Sequence, residues 1–352
     1  MRKAEYISEN ETNFSILYKP VSDPGSVGYL DKELVKFRNG RPPKTTGNPY
    51  YVLGEPIGDM RDNMDQPSVD ISEGISDLEK EIEGVGVWIS EPDQQSEEEK
   101  KHRPCIIYIH GGGFVGGSAQ AFQNLCRYLS CQTHALVINI DYRLAPETAF
   151  PGNINDCLRV IHKIREDKTY HFDREQMYIS GDSAGGNIAL ACAQKEYQRT
   201  GFQYLKGLIL YYPVVDLTME DQGWKWNLED YSGTEREMEC HCAQSLRGFE
   251  TQIIKLYVQE NTEKDDPLVS PIVTPDDTIY PDMLIVSAEY DYLRPQVEAF
   301  AAKAGGTGCR VKAIRYGGMN HAFVSLTGII DQAKDALDEA AEFIRAHHTS
   351  IK

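Results

Sequence analysis

A serine between glycines, a histidine in a glycine-flanked loop and carboxylates between the two could together carry out acyl transfer. Ser183 stands in Gly181-Asp182-Ser183-Ala184-Gly185, a G-x-S-x-G pattern. The apolar run Met177-Tyr178-Ile179 leads into it and Asn187-Ile188-Ala189-Leu190-Ala191-Cys192-Ala193 leads out. Strand, sharp turn and helix make the context in which such a serine exposes its hydroxyl as a nucleophile. Glycines suit both flanks, because a side chain there would clash as the chain reverses.

A serine nucleophile needs a base, a group to orient that base, and donors for the developing oxyanion. The base is expected on a loop after a late strand. His321, in Gly317-Gly318-Met319-Asn320-His321-Ala322-Phe323, holds that place, whereas His134, His162 and His171 lie in or beside helices earlier in the chain. The orienting acid is expected after the strand Met283–Val286, where Glu289 and Asp291 both qualify. Asp291 is preferred because Tyr292-Leu293-Arg294-Pro295 starts the next helix, which leaves the acid just past the strand end. Oxyanion donors are expected from His110-Gly111-Gly112-Gly113-Phe114, whose glycines expose backbone N–H groups, and from the amide after the nucleophile, Ala184. Gly111 to Gly116 also fits the glycine spacing of a dinucleotide loop. That fit follows from glycine richness alone, with no lysine or downstream acid to support phosphate binding.

The elements that would position these residues can be read from the apolar pattern. Cys105–Ile109, Ala135–Ile140, Met177–Ile179, Leu208–Tyr211, Met283–Val286 and Val311–Ile314 are short apolar runs that predict buried strands. Helical spacing predicts helices over 121–131, 154–165, 296–304 and 333–347. Strands alternating with helices imply a mostly parallel central sheet with helices on both faces. Such sheets bind ligands at the carboxyl ends of their strands, and the motifs fall after Ile109, Ile179, Val286 and Ile314.

The remaining stretches are less regular. Residues 1–48 are polar and mixed and read as a helical or irregular cap arm, leaving residues 49–352 as the catalytic domain. Tyr50–Leu53 and Gly84–Ile89 read as strands, with an acidic stretch from Asp70 to Glu83 between them, and Glu91–His102 reads as a solvated loop. Residues from about 216 to 281 break the alternation and are rich in aromatics, among them Trp224, Trp226, Tyr231, Phe249 and Tyr257; they read as a helical lid inserted over the strand ends.

Composition bounds the partners. With 36 Lys and Arg against 54 Asp and Glu, the formal net charge is -18, which argues against nucleic acid and anionic membranes. No run is long and apolar enough for a membrane span, and no export signal opens the sequence, so the expectation is a cytoplasmic protein with free thiols. Cys240-His241-Cys242 lacks a second ligand pair at zinc spacing, so no metal and no cofactor are expected.

Taken together, these motifs resemble the hormone-sensitive-lipase-like branch of the α/β-hydrolases, which includes bacterial acetyl esterases and carboxylesterases. The matching residues are His110–Phe114, Asp141-Tyr142-Arg143-Leu144-Ala145-Pro146-Glu147, Gly181–Asn187, Asp291–Arg294 and His321–Phe323, within roughly residues 104 to 345. The resemblance implies an α/β-hydrolase fold with a helical cap, Ser183, Asp291 and His321 as the triad, and the amides of Gly112, Gly113 and Ala184 as the oxyanion hole. His110 and Gly111 would shape that loop, and Arg143 and Glu147 would pair in a structural turn. The implied activity is hydrolysis of small carboxylic esters with short acyl groups, acetyl to about butyryl; acetylated sugars are one candidate substrate. Members often dimerise, and nothing in the sequence marks a dimer face. The G-x-S-x-G turn alone also suits an amidase or peptidase. A non-catalytic binding protein on this fold is a further alternative, as in the plant gibberellin receptors; those lack the histidine, and His321 is present here.

Overall fold

The computed structural model describes residues 5–8, 14–21, 30–40, 61, 64–218, 254–258 and 263–347. Its centre is a ten-stranded sheet in the order β1-β2-β10-β9-β8-β7-β5-β6-β4-β3. The strands are β1 (Glu5–Ser8), β2 (Ser15–Lys19), β3 (Ile75–Ile82), β4 (Val85–Pro92), β5 (Cys105–Ile109), β6 (Leu136–Asp141), β7 (Met177–Asp182), β8 (Gly207–Tyr211), β9 (Asp282–Ala288) and β10 (Val311–Tyr316). From β2 to β6 every neighbouring pair is parallel, while β1 and β4 join antiparallel. Every residue of β5, β7 and β8 is buried. This explains why they appear as continuous apolar runs: a parallel strand covered on both faces has no polar side.

Alternate residues feed two cores. Ile107, Ile109, Ile179, Leu208 and Leu210 face α4 (Gly152–Glu166) and α5 (Ala184–Thr200), packing with Ile154, Cys157, Ile161 and Ile188. Ile106, Tyr108, Tyr178, Ile209 and Tyr211 face the other way, toward Leu125 and Leu129 of α3 (Gln123–Thr133) and Ala336, Ala340 and Phe343 of α7 (Asp331–His347). α6 (Arg294–Gly306) adds Val297, Phe300 and Ala301 to the first core, and α1 (Lys32–Asn39) adds Leu34 to the second. Helices on both faces of a mostly parallel sheet are therefore what the apolar pattern predicts.

Several expectations need correction. The arm read as helical or irregular does contain α1, but it also carries a β1–β2 hairpin, and β2 pairs with the open side of β10, Leu17 opposite Ile314. Five residues with only Ile16 fully buried have too little pattern of their own to announce a strand. The acidic stretch contains β3, whose two ends, Ile75 and Ile82, are buried while the residues between are exposed. A charge-rich edge strand of this kind discourages pairing with another chain and hides its period from the sequence. The stretch read as a solvated loop begins as the end of β4 and contains α2 (Glu97–His102), started by a capping box in which Ser96 and Glu99 exchange hydrogen bonds.

Arg143 and Glu147 do not pair. Arg143 makes a two-bond contact with buried Asp156 (2.8 and 2.7 Å), and Glu147 makes one with Arg61 (3.0 and 2.6 Å). The strand expected at Tyr50–Leu53, the Cys240-His241-Cys242 cluster, Trp224, Trp226, Tyr231 and Phe249 lie outside the described residues, as does most of the lid at 216–281. Among the described residues no helix is long and apolar enough to cross a membrane, and no group of side chains is arranged to hold a metal ion.

Candidate active site

Four strand ends, β5, β7, β9 and β10, carry the candidate residues to one side of the sheet. β7 ends at Asp182, and Ser183 follows with φ 52° and ψ -118°, a conformation that non-glycine residues avoid. The strain is held by hydrogen bonds: Ser183 N–H donates to Tyr211 O (2.9 Å), and Val214 N–H and Asn187 N–H donate to Ser183 O (3.1 and 3.2 Å). The turn leaves no room for side chains around it. A Cβ on Gly185 would run into the Ile109 carbonyl oxygen and lie 2.5 Å from that of His110; one on Gly181 would lie 2.6 Å from the Gly185 carbonyl. Helix α5 starts at Ala184, directly behind the hydroxyl.

Ser183 Oγ lies 3.0 Å from His321 Nε2, and His321 Nδ1 lies 2.7 Å from Asp291 Oδ2. The assigned tautomer has Nδ1–H donating to the carboxylate and the serine hydroxyl donating to Nε2. Asp291 is fully buried, and its other oxygen accepts the Leu293 N–H (2.8 Å), so the carboxylate cannot swing away. The Tyr212 ring packs edge-on to the imidazole, centroids 4.9 Å apart. This is the geometry in which a histidine removes a serine proton while a buried carboxylate stabilises the imidazolium.

Beside the serine runs the loop after β5. Gly112, Gly113 and Phe114 all have positive φ (118°, 60° and 65°), and the loop closes on itself through Gly116 N–H to Gly112 O (2.9 Å). Among the described residues the N–H groups of Gly112, Gly113 and Ala184 reach no backbone acceptor, which leaves them free to point at a ligand. His110 is buried, and burial lowers its pKa, so the ring is neutral at pH 7. It stacks on Tyr142 (4.3 Å) and donates from Nδ1 to Gly111 O (2.7 Å).

Three further residues, Asp182, Arg61 and Met64, shape this site without a role foreseen from the sequence. Asp182 Oδ1 accepts the Gly111 N–H (2.8 Å) and the Tyr108 hydroxyl (2.9 Å), joining the loop to the turn that carries Ser183. Burial pushes its carboxyl up to about 6, against the opposing pull of those two donors. A carboxylate inside an otherwise apolar strand end was the available signal. Arg61 donates from Nε to Val115 O (2.6 Å) and from Nη2 to Ala145 O (2.9 Å), pinning the loop from outside. Met64 lines the cleft over the serine, together with Gly112, Phe114, Phe122, Val214 and Leu217. The cleft encloses about 780 Å³ with its open mouth included. Nothing in the local sequence of Arg61 or Met64 points to a site.

The sheet order, the helices on both faces and the strand-end serine turn are those of the α/β-hydrolase fold. A family model of the α/β hydrolase fold matches residues 106–325, which include all the residues named here except Arg61 and Met64. An α/β hydrolase of Acanthamoeba polyphaga mimivirus is 30% identical over 230 residues, 64% of this chain; the match spans 63% of that relative, under two thirds of its length. An ethyl acetate hydrolase of Pseudomonas putida is 28% identical over 69% of this chain and 73% of its own. The solved structure of a Pyrobaculum calidifontis esterase superposes with a TM-score of 0.67 at 27% identity, covering 82% of this chain and 88% of that one. The chain belongs to the α/β-hydrolase fold family, in its hormone-sensitive-lipase-like esterase branch.

Proposed function

We propose that this protein hydrolyses carboxylic esters with short acyl groups, acetyl to about butyryl, through Ser183, His321 and Asp291. The observation that carries the reading is the continuous relay from Ser183 Oγ to His321 Nε2 (3.0 Å) and from Nδ1 to Asp291 (2.7 Å) at the mouth of an apolar cleft. Ser183 Oγ attacks the ester carbonyl as its proton passes to His321 Nε2. The oxyanion that develops takes hydrogen bonds from the amides of Gly112, Gly113 and Ala184, with His110 and Gly111 holding that loop in shape. Collapse of the tetrahedral intermediate returns the proton from His321 to the leaving alkoxide, and the alcohol departs. Water then attacks the acyl-enzyme, giving its proton to His321, and the acid leaves as Ser183 is restored.

Short acyl groups are favoured because the cleft is walled by bulky residues. Phe114, stacked on Tyr257 with centroids 3.8 Å apart, stands as a rigid wall, and Phe122 and Met64 narrow the space further. The relative named for ethyl acetate points the same way. Acetylated sugars are one candidate class. A reducing, cytoplasmic setting belongs to the reading, since six cysteines among the described residues are free thiols.

The test is release of p-nitrophenol from its acetate, butyrate and octanoate esters by the wild type and by Ser183→Ala. The reading expects turnover on the two short esters and a loss of about 10⁴-fold or more in the variant. Turnover that survives the substitution, or that peaks on octanoate, would refute the nucleophile or the acyl range respectively.

A further inference from the structure

Glu289 stands two residues before Asp291, and the mechanism above has no use for it. Its backbone N–H donates to Tyr316 O (3.0 Å), fixing it where β9 and β10 end side by side. Its Oε2 accepts the Gly318 N–H (2.8 Å) and the Tyr18 hydroxyl (3.3 Å). Gly318 is three residues before His321, in a turn with φ +70°. The same turn is held from the N-terminal side: Gly317 N–H donates to Lys19 O (2.7 Å) and Asp31 N–H to Gly318 O (3.0 Å). Tyr18 lies against the turn so closely that a Cβ on Gly317 would sit 2.5 Å from its hydroxyl. The histidine loop is thus clasped between the end of β9 and the N-terminal strand, with one carboxylate bridging them.

We propose that Glu289 is a positioning residue for His321, and that Tyr18 of the N-terminal strand acts through it. The role rests on the active-site reading given above. The N-terminal strand thereby sets the reach of the base. A turn of two glycines has little stiffness of its own, so its position depends on what its backbone is bonded to. Removing the Glu289 acceptor frees Gly318 N–H and lets the loop move, and a misplacement of about 1 Å can cost about 100-fold in rate. The N-terminal strand matters because the Tyr18 hydroxyl donates to the same Glu289 oxygen that accepts the Gly318 N–H, and so helps to hold that carboxylate in place.

The experiment measures kcat and KM on p-nitrophenyl acetate for Glu289→Ala, Glu289→Gln, Tyr18→Phe and the double variant Tyr18→Phe/Glu289→Ala. Each is counted by active-site titration with a phosphonate ester, so misfolded protein does not enter kcat. Glu289→Ala is expected to lose about 10- to 100-fold in kcat with KM within about two-fold. Glu289→Gln, which keeps an acceptor oxygen, is expected to recover to within about three-fold, and Tyr18→Phe to lose about two- to five-fold. The Tyr18→Phe loss should vanish in the Glu289→Ala background, because its effect on the histidine loop runs through that carboxylate. Wild-type kcat in Glu289→Ala, failure of glutamine to rescue, or an undiminished Tyr18→Phe effect in the double variant would each overturn the proposal. If Glu289→Ala does not fold, Tyr18→Phe and Glu289→Gln decide it, a wild-type kcat in Tyr18→Phe being the refuting result. Ser183→Ala runs alongside: activity that survives it sinks the active-site reading, whereas its loss together with an indifferent Glu289 sinks only this one.

Discussion

Asp182→Asn tests the buried carboxyl that joins the loop after β5 to the turn carrying Ser183. Burial dominates its environment and pushes the carboxyl up to about 6 from its ordinary 3.8. A carboxyl with a raised pKa binds protons more tightly in the folded state than in the unfolded one. Its contribution to stability is therefore complete below about pH 3.8 and is lost as pH rises through about 6. The full displacement, 6 − 3.8 or about two pH units, corresponds to about 3 kcal/mol at 1.36 kcal/mol per unit, and about 1 kcal/mol of it falls between pH 5 and pH 8. Asparagine carries no charge to bury, and its carbonyl can still accept from Gly111 N–H and Tyr108. Relative to wild type, Asp182→Asn should gain about 1 kcal/mol more stability at pH 8 than at pH 5, measured by urea unfolding at both pH values. Activity should stay within about ten-fold of wild type, since the bonds that hold the loop survive. A stability difference independent of pH would show that the carboxylate is not raised by burial. A collapse of activity in Asp182→Asn would show that its charge, and not its acceptor oxygen, holds the loop.

Other outcomes follow from the same contacts. Gly185→Ala drives a methyl group into the carbonyls of Ile109 and His110, which are backbone atoms and cannot step aside. It should cost at least about 1–3 kcal/mol and abolish detectable turnover, checked by thermal unfolding and the butyrate assay. Arg61→Ala removes hydrogen bonds to Val115 O and Ala145 O together with the contact to Glu147. The Glu147 carboxylate is largely exposed, so the ion pair adds at most about 1 kcal/mol, and the two carbonyl bonds carry most of an expected loss of about 1–3 kcal/mol. A kcat unchanged in Arg61→Ala would show that the oxyanion loop holds its shape without this clamp. The pH profile of kcat/KM should fall on the acid side, because His321 must be neutral to take the serine proton, and histidines ordinarily release theirs near about pH 6.5. Full activity at pH 5 would be incompatible with a histidine base.

The candidate site residues were legible because each carries a local signature. Ser183 is marked by flanking glycines that a tight strand-to-helix turn demands, and Gly111–Gly113 by the need for bare backbone N–H groups. The buried parallel strands were legible for a related reason: with helices on both faces they have no polar side, and β5, β7 and β8 stand out as apolar runs. Where a strand is exposed, as β3 is, its charges erase the pattern. Arg143 and Glu147, close in sequence, look like a pair, but each finds its partner elsewhere, Asp156 on α4 and Arg61 before the domain core.

By itself the sequence determined the alternation of buried strands and helices from β5 to α7, and it singled out Ser183, His321 and Asp291, over Glu289, as the candidates for nucleophile, base and orienting acid. Tertiary structure decided which distant groups meet. Ser183 and His321 are 138 residues apart in the chain and come within 3.0 Å only because β7 and β10 end on the same side of one sheet. The pairing of β2 with β10, the Tyr18–Glu289 bridge 271 residues long, and the Arg61 clamp have no local signature. The physical reason is common to all three. Their residues are ordinary until a surface formed by the rest of the fold gives their polar atoms partners, and those partners are set by strand order, which no window of sequence contains.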